Sequence, residues 1–208
     1  MLGVTAELDR LHRKPERGGD RALLDEVLDT VMVGTLSTVV DGLPWSVPML
    51  FARHDDRIIL HGSTGAGALR HVADGAPVTL TAFALDGIVV ADVLFDHSAN
   101  YRSAVVRGTL QTVRDDAASA LDALSDKLIP GRVAEVRGHT RKEVAATATL
   151  VLPIVDGQWI AKARSGPPGE PEDPTTWTGV VPVRTVYDEP VTATGDAPPG
   201  SVRRLVEN

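Results

Sequence analysis

The chain has 208 residues, no cysteine, and 28 acidic against 21 basic side chains, for a formal net charge of -7. A chain of this length makes one domain that buries roughly 70% of its unfolded surface without disulfide or metal staples. The composition excludes thiolate catalysis, iron–sulfur clusters and Cys-ligated zinc, and the acidic balance opposes general attraction to phosphates, so no nucleic-acid partner is expected.

The opening MLGVTAELDRLHRKPERGGD carries charge throughout and has no apolar stretch suited to a signal peptide. No later segment approaches the roughly 20 apolar residues that cross a bilayer, so a soluble, cytoplasmic protein with no membrane partner is expected. From Asp20, an N-cap residue, a helix is predicted to about Met32, because Leu23, Leu24, Val27, Leu28 and Val31 fall on one stripe. Three strand-like segments follow between Val33 and His61, punctuated by Asp41-Gly42 and Asp55-Asp56. Asp-Gly between apolar runs is a strong hairpin signal. Gly62-Ser63-Thr64-Gly65 then lead into a short helix with Leu69 and Val72 on one face, ended by Asp74-Gly75 and Pro77. Unpaired N–H groups at such a helix start can cradle phosphate, although a capped helix after a tight turn is the commoner meaning.

Val78 to Ala84 and Ile88 to Asp92 read as strands joined by a second hairpin at Asp86-Gly87. A polar run, Asp96 to Ser103, separates them from a β-branched strand over Ser103 to Val113. Helical spacing of Ala117, Ala120, Leu121, Leu124 and Leu128 ends at Pro130-Gly131. Thr140 and Glu143 form a capping box opening a short helix over Lys142 to Thr147, and Leu150 to Val155 supplies another strand. Past Ala163, the prolines of SGPPGEPEDPTTW end regular structure and lay the chain across a surface. Residues 188–208 are expected as a flexible tail, leaving 1–187 as one domain with an N-terminal helical extension.

None of the six histidines forms HExxH, so no metal site is expected. His61 closes a strand just before the small-residue loop, where its imidazole can face a ring system or make an ordinary hydrogen bond. Within the polar run, Arg102 suits bidentate binding of phosphate or carboxylate and Tyr101 suits stacking; the alternative is a charged surface turn. Lys162 and Arg164 follow Trp159 and Ile160, an arrangement that can hold an anionic aromatic ligand or stand as a solvated strand end. Trp177 reads as an apolar anchor. Neither GxSxG nor GxGxxG occurs, which leaves hydrolase and Rossmann readings without support.

From about Arg13 to Pro182, the segments RKPERG, VGTLSTVVDGLPWSVPM, LHGST, NYRSAVVRG, AKARSGPP and WTGVVP occur in an order that resembles a known family. It is that of the FMN-binding split-barrel proteins related to pyridoxamine 5′-phosphate oxidase, especially the nitroimidazole-resistance branch. The resemblance implies a mainly β fold with flanking helices (α+β), built on a six-stranded antiparallel Greek-key split β-barrel. It also implies a homodimer with FMN in two symmetry-related interface clefts. Carried over residue by residue, it sets Ser37, Thr38, Pro48, His61, Ser63 and Thr64 at flavin and phosphate, and Asn100, Tyr101 and Arg102 near the same cleft. His61 and Tyr101 are then the candidate catalytic proton donors or orienters.

One departure bears on the cofactor. The related proteins carry Arg or Lys shortly after the phosphate loop, whereas this chain has Gly67-Ala68 and reaches a cation at Arg70. The phosphate contact then falls to Arg70, or to Lys162 or Arg164 from elsewhere, or FMN gives way to FAD or a deazaflavin. The expected function is an FMN-dependent oxidoreductase passing hydride or electrons to or from a small substrate. The alternatives are a non-catalytic flavin-binding or sequestering protein and a deazaflavin-dependent reductase.

Overall fold

Asp20 does what its position requires. In the computed structural model, which describes residues 14–63, 67–73, 75–113, 115–195 and 197–207, helix α1 (Arg21–Thr30) begins with the Asp20 carboxylate accepting from the Leu23 N–H at 3.1 Å. That bond satisfies one of the orphan donors of the first turn. The stripe Leu24, Val27 and Leu28 is fully buried, each side chain contributing roughly 1.5–3 kcal/mol by leaving water. Secondary structure is mainly antiparallel β with flanking helices, and the chain divides into two units.

The first unit comprises Met1–Val31, Thr81–Val106 and Asp156–Thr185. Here β1 (Gly18–Gly19) pairs with β10 (Trp159–Arg164), which pairs with β7 (Ser98–Thr109), next to β6 (Pro77–Val90). Helix α1 packs on β10. The hairpin expected at Asp86-Gly87 does not form, and β6 runs straight through both residues. Gly87 is instead where β11 (Gly179–Pro182) comes close: it pairs with Pro182, and a Cβ on it would lie 2.9 Å from Val180 Cγ1. The Val183 N–H also reaches the Asp86 carbonyl at 3.0 Å, so an extra strand arises from the proline-rich region read as irregular. The polar run is likewise extended, because Asn100, Tyr101 and Arg102 lie on β7 and pair through Tyr101↔Arg164 and Arg102↔Ala163.

The second unit comprises Met32–Leu80, Arg107–Val155 and Val186–Asn208. Its first hairpin joins β2 (Val33–Val40) to β3 (Leu43–Leu50), with Asp41 at φ 51° and Gly42 at φ 77°. Positive φ at both central residues is the type I′ geometry that matches strand twist. A four-stranded sheet follows in the order β4 (Ala52–His54), β5 (Arg57–Ser63), β9 (Thr147–Pro153), β8 (Gln111–Thr112). Helix α3 (Ala117–Leu128) covers it, packing Ala120 and Leu124 on Ala52, Ile59 and Val151. The Thr140–Glu143 capping box opens α4 (Arg141–Ala146).

Leu69 and Val72 are buried on α2 (Gly67–Ala73), as their spacing predicts. The stretch read as a tail contains α5 (Gly200–Glu207), whose Ser201 is fully buried and donates from both N and Oγ to the Glu135 carboxylate. No described helix is long and apolar enough to cross a membrane.

Candidate cofactor-binding site

Two concave regions stand out, one in each unit. In the second unit a groove of about 380 Å³ is walled by Trp45, Val47, Pro48, Met49 and Leu50 of β3, by Leu69 of α2 and by the imidazole of His61 of β5. Pro44 and Pro48 cannot donate to a ladder, and β3 ends its sheet, where proline is tolerated. Gly62, expected to let phosphate approach the backbone, serves this wall: a Cβ there would lie 2.0 Å from Leu69 Cδ1. The side chain it lacks makes room for Leu69.

His61 and Thr149 are register partners across β5 and β9, so both side chains stand on the same face. His61 Nδ1 and Thr149 Oγ1 are buried and have no hydrogen-bond partner. Orphaned buried polar atoms cost about 1–3 kcal/mol each, so two facing one another call for an explanation.

Other expected residues of this unit are engaged in the sheet. Thr38 Oγ1 donates to the Pro77 carbonyl at 2.7 Å, and the Ser37 and Ser46 hydroxyls pair at 2.8 Å across the hairpin. Ser63 and Arg70 are exposed. Thr64, and with it the centre of the expected phosphate loop, lies outside the described residues.

In the first unit a cleft of about 470 Å³ is bordered by Lys14, Arg17 and Arg164, by the carboxylates Asp92, Asp96 and Glu170, and by His97 and Ser98. Arg164 is held in place: its Nη1 donates to Asn100 Oδ1, and Asn100 Nδ2 donates to the Gly166 carbonyl at 3.0 Å. His97 Nδ1 accepts from the Ala91 N–H at 3.3 Å, which puts the proton of the neutral ring on Nε2 and makes that nitrogen a donor. Tyr101 stacks on Phe83 with ring centroids 5.8 Å apart. Lys162 sits opposite Ser103 and Gly18 in the ladders.

Arg102 has a different role from the anion clamp that its chemistry suggested. Its Nε and Nη2 bind the two Asp86 oxygens at 3.0 and 2.8 Å, and Nη1 binds Glu26 Oε1 at 2.7 Å. The Asp86 hydrogen bonds, with a smaller contribution from Glu26, raise its pKa further above the ordinary arginine value. Its fork ties α1 and β6 to β7. Of the residues singled out in the sequence, the structure brings Pro48 and His61 together, and Asn100 with Arg164. Sequence reasoning missed Trp45, Met49 and Leu69 in the groove. Lys14 and Arg17, quoted within RKPERG, were not assigned to a site.

The chain belongs to the pyridoxamine 5′-phosphate oxidase family, whose sequence profile matches residues 20–158. Its fold class is that family's split barrel. Among solved structures it is similar to the FAD- and haem-binding protein from Mycobacterium smegmatis, at 43% identity and TM-score 0.87, covering 91% of this chain and 97% of that one. It is also similar to the flavocytochrome Anf3 from Azotobacter vinelandii, at 29% identity and TM-score 0.82, covering 95% and 96%. A candidate 5-nitroimidazole antibiotic resistance protein from Bacteroides thetaiotaomicron shares the fold at 20% identity and TM-score 0.58, covering 69% and 84%. No curated protein matches the sequence.

Proposed function

We propose that this protein is a flavin-binding oxidoreductase that also carries haem, and that its flavin is FAD rather than FMN. The observation that carries this is the 43% identity, over 91% of the chain, to a protein described as binding FAD and haem. The flavocytochrome points the same way. Two clefts of different chemistry suit two cofactors of different chemistry. In the first, Lys14, Arg17 and the Asn100-braced Arg164 offer charge-assisted partners to a phosphorylated chain, which takes over the task that Gly67-Ala68 leaves undone. In the second, apolar walls offer a flat ring a hydrophobic surface with one imidazole. A flavin supplies hydride and one-electron transfer, and a haem supplies one-electron and oxygen chemistry.

The chain's own residues bind and orient. Asn100 fixes the Arg164 guanidinium, His97 presents an Nε2–H donor to the cleft, and Tyr101 stays available for stacking beside Phe83. The cytoplasm, where thiol-free proteins lose nothing, is the proposed compartment, and a second copy of the chain the proposed partner. Absorption spectroscopy of purified protein, with FAD, FMN, deazaflavin and haemin titrated into the apo form, tests the assignment. Flavin bands and a Soret band are expected, with FAD bound more tightly than FMN. A colourless protein that gains neither would overturn it.

A further inference from the structure

We infer that His61 is the axial ligand of haem iron in the apolar groove of the second unit, and that Thr149 is the positioning residue that fixes its ring. The inference rests on the haem half of the function just proposed. A haem brings four nitrogen ligands of its own, so the protein need supply one imidazole beside an apolar surface. That suits a chain in which no three His, Asp or Glu side chains converge among the described residues.

The choice of histidine follows from where one nitrogen of each of the other described rings is already engaged. His71 Nε2 lies 3.1 Å from the Val39 carbonyl, to which it can only donate, so that nitrogen has no lone pair for a metal. His97 accepts through Nδ1 and so carries its proton on Nε2. His139 Nε2 stands 3.4 Å from an Asp122 carboxylate oxygen, and His54 Nε2 stands 3.8 Å from one of Asp55. His12 lies outside the described residues. His61 alone among the described histidines makes no hydrogen bond or ion pair, and it lines the groove.

The second orphan completes the site. Directly opposed side chains of an antiparallel pair have Cβ atoms about 4.5–5.5 Å apart, within reach of an imidazole that turns about χ2. Thr149, 1% exposed, can then accept a hydrogen bond from His61 Nδ1–H through its unpartnered Oγ1. One bond satisfies both orphans and fixes the tautomer with the proton on Nδ1. It leaves the Nε2 lone pair for iron, the arrangement by which an outer partner orients a metal-bound histidine. Trp45, Val47 and Met49 give the macrocycle apolar walls.

The test titrates haemin into apo wild-type, His61→Ala, Thr149→Val and His71→Ala proteins and follows the Soret band and the reduction potential. Wild type is expected to bind one haem per chain with the spectrum of a histidine-ligated iron. His61→Ala is expected to lose at least tenfold in affinity and to recover the wild-type spectrum when imidazole is added. Thr149→Val should keep the complex, with affinity down about ten- to hundredfold and a shifted potential, while His71→Ala should match wild type. Magnetic circular dichroism of the wild-type complex reports the axial ligand even if a variant does not fold. A His61→Ala protein with unaltered affinity and spectrum, or loss of the histidine signature in His71→Ala instead, would overturn the assignment. If wild type takes up FAD but no haem, the haem reading itself fails, and that result is distinguishable because the FAD titration of the same sample still succeeds.

Discussion

Arg102 and Gly62 show how the same residue types read differently once their neighbours are known. A guanidinium in NYRS invites an anion, yet Asp86 and Glu26 already supply two carboxylates, and neither is near it in sequence. Hydrogen bonds to charged groups contribute about 1.5–3 kcal/mol, and Arg102 is one-quarter exposed, so solvent screening keeps the effect toward the lower end. Arg102→Ala should therefore lower stability by about 2 kcal/mol, or about 4–8 °C in Tm for a chain of this size, with FAD affinity unchanged. Thermal unfolding and FAD titration of the variant check both halves; unchanged Tm with lost FAD binding would make Arg102 a ligand instead. Gly62→Ala puts a methyl where Leu69 Cδ1 sits 2.0 Å away. Overpacking of this kind costs typically about 1–3 kcal/mol, and displacing Leu69 narrows the groove, so a Tm loss together with weaker haemin binding is expected.

At the scale of elements, legibility followed the range of the interactions involved. The Asp20 cap, the Asp41-Gly42 turn, the α3 stripe and the Thr140–Glu143 box rest on residues within four positions of each other, and each formed where its spacing placed it. Asp86-Gly87 carried the same turn signal and failed, because the partner that keeps β6 straight, Val180 to Pro182, lies more than ninety residues on. The groove was legible at His61 and Pro48 but not at Leu69, since the opening made by Gly62 depends on how α2 packs. Helix α5 is the same case: its docking depends on Glu135, 66 residues from Ser201. The Ser201 hydroxyl and N–H, with a smaller contribution from Arg132, hold the Glu135 carboxyl below its ordinary range. A depressed acid stabilises fully above the unfolded carboxylate pKa, and that contribution is lost as pH falls through the lower folded value. Amide exchange of residues 200–207 should accordingly quicken below about pH 4 while the α3 amides stay protected. Glu135→Gln should remove that pH dependence, and an unchanged profile would mean that the latch does not hold the helix.

For the whole molecule, the question is what covers the apolar surface that each unit leaves open. In the first unit Leu94 and Phe95 are 87% and 96% exposed, and Ile88 and Val181, paired in register, are about half exposed on one sheet face. Isolated apolar side chains at a surface are ordinary, but here a paired strand position is joined by exposed Phe83 and Trp177 in the same unit, and grouped exposed apolar residues mark interaction surfaces. A second copy of this chain is the partner the proposal names, since closed two-fold pairs are the commonest way soluble proteins bury such faces. Sedimentation equilibrium should give a dimer at micromolar concentration. The Leu94→Asp variant should shift it toward monomer without changing the far-ultraviolet circular dichroism, because this side chain does not support the core of its own protomer. Cofactor binding adds an independent reading of the same equilibrium. At a hundredfold excess over Kd a ligand stabilises the native state by about 2.7 kcal/mol, which is roughly 5–11 °C for a chain this long. If the cofactor is held by both copies, that shift should shrink in the monomeric variant and should depend on protein concentration in the wild type. A full-sized shift in a monomer would place each cofactor within one chain.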